Sequence, residues 1–117
     1  VTPFTVPAVV DRGALARAGA ALADATRCGI LARLAGGPAY PAELAEALGT
    51  TRANISNHLA LLRACGLVSS TPDGRRVQYR LAHPGLGDAL RHLAAVLDGC
   101  GQGTDGGGGG RDPGGRP

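Results

Sequence analysis

The chain has 117 residues, 44% of them apolar, and a net charge of +3 at pH 7, enough for one small domain with a single core. Its three cysteines are an odd number, which argues against a disulfide framework. The opening VTPFTVPAVV carries two prolines and neither a basic start nor a long apolar run, so neither a secretory signal nor a membrane span is expected and the protein is expected in the cytoplasm.

Residues 1–10 read as a flexible N-terminal arm. Asp11 to Ala23 is alanine-rich with Leu15 and Leu22 seven residues apart, which fits a closely packed helix. Ala25 to Leu34 predicts a second helix, with Ile30, Leu31 and Leu34 inward and Gly36-Gly37-Pro38 ending it. A short third helix follows from Leu44, Ala45 and Leu48 at helical spacing, with Glu43 and Glu46 on the wet side and Gly49 as the stop. Thr50 or Thr51 can then cap a fourth helix, whose apolar positions Ile55, Leu59 and Leu62 fall at i, i+4 and i+7.

The other face of that fourth helix offers Arg52, Asn54, Ser56, Asn57 and His58, with no carboxylate among them. Short donors and acceptors with one arginine suit base edges and phosphate oxygens, although a solvated amphipathic face has the same pattern. A hairpin comes next: Leu67 and Val68 lead in, Pro72-Asp73-Gly74 has turn chemistry, and Val77, Tyr79 and Leu81 alternate on the way out. Residues 51–80 contain Arg52, Arg63, Arg75, Arg76 and Arg80 against Asp73 alone, whereas charges in residues 1–50 balance. The positive charge is therefore concentrated in one helix and one hairpin, where an anionic duplex needs it. Arg75 and Arg76 beside the turn are expected to reach the backbone phosphates.

Pro84 can open a last helix, whose Leu86, Leu90, Leu93 and Leu97 step by four, three and four. Such a seam suits the chain's own first helix or a twofold partner. From Gly99 to Pro117 ten of the twenty glycines accumulate, and this tail reads as disordered. The expected organisation is one folded domain over residues 11–98 between two flexible ends. It is mainly α with a small β-hairpin, about five helices plus a two-stranded wing, the winged helix-turn-helix arrangement.

ALADATRCGILARL, ELAEALGTTRANISNHLALLRACGLV and GRRVQYRL, in that order, resemble the ArsR/SmtB family of bacterial winged-helix repressors over roughly Ala14 to Leu97. The resemblance implies a homodimer built on the first and last helices, binding to double-stranded operator DNA, and release when an inducer, often a metal ion, binds. By the same resemblance, DNA contacts fall on Arg52, Ala53, Ser56 and Asn57, with wing contacts on Arg75 and Arg76. Ala53 departs from the pattern, offering a methyl group where relatives often have a hydroxyl. His58 is read as a DNA or capping contact.

Cys28, Cys65 and Cys100 are the candidate metal ligands, since thiolates select cadmium, lead, zinc or trivalent arsenic. Thr26-Arg27-Cys28, and Cys65 before Gly66-Leu67-Val68, are similar to the CmtR-type cadmium and lead sensors within the family. Those sensors carry another thiol one turn ahead of the second cysteine, where this chain has Leu61. Packing explains Cys28 and Cys65 equally well, because free cysteine behaves as a small hydrophobe. The family's arsenic-type thiol pair would fall on Tyr40 and Ala42, which excludes that version. His83, Asp88 and His92 offer at most a weak site on the last helix, and a surface ion pair is the simpler reading. No nucleophile elbow, HExxH or phosphate-binding GxxxxGK[ST] is present, so catalysis is not expected. The alternatives are the same repressor with an oxidant or other non-metal inducer, or a winged helix used for protein contact.

Overall fold

The computed structural model describes residues 10–102, with side chains as far as Gly99; the expected arm and tail fall almost entirely outside the described residues. The chain divides at Pro84 into two compact units. The first holds α1 (Arg12–Ala21), α2 (Ala25–Ala35), α3 (Pro41–Leu48), α4 (Arg52–Ala64), β1 (Val68–Asp73) and β2 (Arg76–Leu81), and the second holds α5 (Leu86–Gln102). Five helices and one antiparallel hairpin are the expected fold class. Among the described residues no helix is long and apolar enough to cross a membrane.

Short polar side chains start most of these helices. Asp11 accepts from the Ala14 amide at 3.1 Å, Asp24 from Arg27 at 3.0 Å and Thr51 from Asn54 at 3.0 Å. Each satisfies an amide that the first helical turn leaves unpaired. At α3, Pro41 supplies the preset first turn and the Glu43 carboxylate takes the Tyr40 amide at 2.9 Å. Glycines in the left-handed region end the two central helices: Gly49 at φ +66° after α3, and Gly66 at φ +81° after α4. At the second stop the Leu67 amide reaches the Leu62 carbonyl and the Gly66 amide reaches Arg63, each at 3.0 Å, so Cys65 becomes the last residue of helical shape.

The core of the first unit is where the apolar spacing puts it. Ile30, Leu31, Leu44, Ile55, Leu59 and Leu62 are fully buried, joined by Leu34, Ala39 and Val68. Removing each large side chain from water contributes about 1.5–3 kcal/mol. α2 lies against α3, α4 and β2, so α3 and α4 share one apolar floor. α1 is less buried than its alanine content predicts: only Ala21 is buried and Leu15 is exposed. It also stops at Ala21, with Leu22 as its cap, two residues before the expected end.

The hairpin turn differs from the sequence reading. Pro72 pairs with Val77 and Asp73 with Arg76, so the turn is Gly74-Arg75, opened by Gly74 at φ +62°. Pro72 is tolerated inside β1 because that strand pairs with β2 alone, leaving an outer edge that needs no amide from Pro72. The Ala39 amide donates to the Tyr79 carbonyl at 2.9 Å and the Tyr79 amide returns the bond at 2.8 Å, which ties the α2–α3 connection to β2.

α5 begins at Leu86, with the Ala89 amide on the Gly85 carbonyl, so Pro84 sits in the preceding turn and does not open the helix. It continues to Gln102, past residue 98 where the glycine-rich composition predicts its end. Gly99 and Gly101 weaken a helix by about 1 kcal/mol each relative to alanine without forbidding it. Leu93, Val96 and Leu97 are exposed, and Asp88 pairs with Arg91 on the surface, so the expected ion pair has an arginine partner in place of His92.

Candidate nucleic-acid interface

α4 presents two unlike faces because 3.6 residues complete a turn. Ile55, Leu59 and Leu62 face the core, and Arg52, Ala53, Ser56 and Asn57 are all exposed near the helix start. The freed N–H groups at that start and the positive end of the helix dipole add attraction for an anion. Asn54 is not part of the open surface: its amide nitrogen donates to the Thr50 hydroxyl at 2.9 Å and reinforces the cap.

His58 also leaves the polar face on which its sequence position put it. Its Nδ1 lies 3.3 Å from Arg27 Nη1 and its Nε2 lies 3.8 Å from Asp24 Oδ2, so the half-buried ring faces α2. Arg27 is the residue that sequence reasoning passed over. Its Nε donates to the Ala21 carbonyl at 2.8 Å and its Nη2 to Ala20 at 3.1 Å, so one guanidinium links the end of α1 to the middle of α4. Nothing in the spacing of Thr26-Arg27-Cys28 reveals a partner 31 residues away.

The Arg27 amide holds the Asp24 carboxyl below its ordinary value, aided by the charges of His58 and Arg27 and opposed by partial desolvation. A depressed carboxylate stabilises the fold above its ordinary titration range, and that contribution is lost as pH falls through the folded value. Asp24→Ala is therefore expected to lower the melting temperature at pH 7, with the gap from wild type closing below about pH 4. Thermal melts across that range check it, and an unchanged gap at pH 3 would show that the carboxylate charge is irrelevant.

At the hairpin, Arg75 occupies the exposed turn and Arg76 the first position of β2. Asp73 is directly opposite Arg76 in the register. Tyr40 lies with this pair: its hydroxyl donates to Asp73 Oδ2, and the Arg76 guanidinium carbon is 3.6 Å from its ring centroid. Farther along β2, Arg80 donates to Gln78 at 2.6 Å.

The cysteines are distributed over separate elements. Cys28 is exposed near the start of α2, with its thiol donating to the Leu22 carbonyl at 3.2 Å. Cys65 is half-buried at the α4 cap, and Leu61, one turn earlier, is 42% exposed. Cys100 belongs to the last turn of α5, and its side chain lies outside the described residues. Among the described residues no three His, Cys, Asp or Glu side chains converge as a metal site. Two described thiols are soft donors of the right chemistry but fall short of a complete trigonal set.

Residues 22–71 match the family model of a helix-turn-helix domain. The HTH-type transcriptional regulator CmtR of Mycobacterium tuberculosis is 56% identical over 84 residues, covering 72% of this chain and 71% of that protein. The solved structure of the cadmium metal-sensor CmtR from the same organism aligns with a TM-score of 0.61 at 55% identity, over 70% of this chain and 85% of the other. A homodimeric winged helix-turn-helix DNA-binding domain from Mycobacterium bovis aligns with a TM-score of 0.69 at 31% identity, over 80% and 91% of the two chains.

Proposed function

The chain belongs to the ArsR family of winged helix-turn-helix transcriptional regulators, and from that membership we propose that it is a homodimeric cytoplasmic repressor released from its operator by a soft metal ion on cysteine thiolates. The family is one of DNA-binding regulators, so no catalytic role is assigned. The observation that carries the reading is the exposed, carboxylate-free start of α4, with Arg52, Ser56 and Asn57, in the same unit as a hairpin tipped by Arg75. α4 enters the major groove and reads base edges, while the wing arginines hold phosphates and set the register.

The twofold assembly is supported by the homodimeric M. bovis neighbour and by exposed leucines on α1 and α5, Leu15, Leu93 and Leu97. Large apolar side chains left in water favour burial against a second copy. Two symmetry-related α4 helices then match a palindromic operator with half-sites about one DNA turn apart.

For the inducer, similarity to a cadmium sensor and the three thiols point to cadmium or lead, with zinc and arsenic as weaker candidates. The ligands are Cys65 and Cys100, with Cys28 as the third. A soft ion would supply thiolate bonds that link the end of α4 to another segment. Cys65 caps α4, so an added bond there favours one orientation of that helix and changes DNA affinity by its differential effect on the two states.

Titrating the reduced protein with cadmium or lead is expected to produce thiolate-to-metal charge-transfer absorption and to release fluorescent operator DNA. Cys65→Ser is expected to lose both responses while binding DNA as wild type. Release by mild peroxide with no absorption band for any ion would replace the metal with an oxidant. Failure to bind duplex from the chain's own upstream region in dilute buffer would remove the repressor reading altogether.

A further inference from the structure

Asp73 is the one acid in residues 51–80, and it stands directly across the ribbon from Arg76. Side chains so paired have Cβ atoms about 4.5–5.5 Å apart, close enough for the carboxylate to neutralise the guanidinium. Among the described residues no ion pair joins them. The Tyr40 hydroxyl donates to Asp73 Oδ2, and the Tyr40 ring lies under Arg76 at 3.6 Å from centroid to guanidinium carbon. A guanidinium stacked on a ring face keeps its charge and leaves its in-plane N–H groups directed outward.

Tyr40 is well held for this task. Its own amide is bound to Glu43, Pro41 follows it, and Ala39 before it makes two backbone bonds with Tyr79 of β2. The ring therefore stands on the α2–α3 connection and meets the wing near its tip. We propose that Tyr40 is a positioning residue for DNA binding: its hydroxyl occupies Asp73 and its ring seats Arg76, so that the arginine remains available to a phosphate. This rests on the reading that the wing contacts DNA. The hydrogen bond to Asp73, followed by partial desolvation and the carboxylate's charge, pushes the Tyr40 hydroxyl above its ordinary value, and it remains a donor across the neutral range.

The test is the slope of log K against log salt for full-length protein on a duplex from its upstream region. Each phosphate contact adds about 0.9 to that slope, counted once per wing. Arg76→Ala is expected to lower the slope by that amount. Tyr40→Phe keeps the ring but frees Asp73 to pair with Arg76, and is expected to lower the slope toward the Arg76→Ala value. The double variant Tyr40→Phe with Asp73→Asn is expected to regain the wild-type slope, and Asp73→Asn alone to leave it unchanged.

A purely structural tyrosine would give the same loss of affinity in Tyr40→Phe and in the double variant, with wild-type slopes, and that result overturns the inference. So does a rise of about 0.9 per wing in Asp73→Asn alone, which would mean that Arg76 is already neutralised in the wild type; this arm does not depend on how the Tyr40 variants fold. An unchanged slope in Arg76→Ala instead withdraws the DNA contact of this arginine, and the Tyr40 role with it.

Discussion

Leu59→Ala is expected to lower the unfolding free energy by about 2–5 kcal/mol, the largest stability effect of any single truncation considered. Leu59 is fully buried at the middle of α4, between Ile55 and Leu62 and over the floor shared with α2 and α3. Shortening it removes apolar contact and leaves a void that the neighbouring caps and glycine stops, Thr51 and Gly66, prevent α4 from closing by sliding. Small domains hold about 5–15 kcal/mol in total, so a loss of this size leaves a measurable unfolded population at 37 °C. Urea titrations at equal protein concentration check it, the concentration being held constant because dimerisation adds to apparent stability. Leu61→Ala on the exposed side of the same helix is the control, expected to change stability by no more than about 0.5 kcal/mol. A Leu59→Ala midpoint equal to that of Leu61→Ala would mean that α4 does not pack through this face.

The features that the chain spells out are local ones. Ile55, Leu59 and Leu62 repeat at the helical period, Thr51 and Gly49 punctuate the helix-turn-helix, and all behave as their spacing predicts. The excess of arginine in residues 51–80 likewise needs no partner to be seen. Long-range pairings are where the reading stops. His58 lies on the border between the two faces of α4, 100° from Leu59 in helical projection. Only Arg27, 31 residues earlier, decides that it turns inward.

Tyr40 is equally silent, since its carboxylate partner is 33 residues away and tyrosine before a helix has many other uses. The hairpin turn departs from its sequence expectation for a different reason. Pro-Asp-Gly is strong turn chemistry by itself, and the strand register that shifts the turn to Gly74-Arg75 depends on both strands at once. Leu61 shows the converse case: the sequence identifies a missing thiol, and the structure adds that this side chain is exposed.

Arg75→Ala and Asn57→Ala are expected to weaken DNA binding in ways that separate grip from recognition. Arg75 sits at the ribbon tip, exposed, with freedom to follow a phosphate. Its loss should weaken operator and scrambled duplexes alike and reduce the salt slope by about one unit per wing. Asn57 is exposed on the open face of α4, and its side-chain amide can give and take one hydrogen bond with a base edge. Truncating it should narrow the gap between operator and scrambled duplex by about 1–3 kcal/mol, with the salt slope nearly unchanged.

The contrast matters more than either magnitude, because a variant that merely destabilised the fold would reduce binding to both duplexes by the same factor and leave the salt slope unchanged, which is the expectation for neither variant. Fluorescence anisotropy on both duplexes over a salt series reads the two quantities together. If Asn57→Ala lost affinity equally for the two sequences and also lowered the salt slope, α4 would be gripping the backbone and not reading it. If Arg75→Ala narrowed the sequence gap instead, the wing would be inside a groove, where an arginine reads minor-groove width or a guanine edge in place of holding a phosphate.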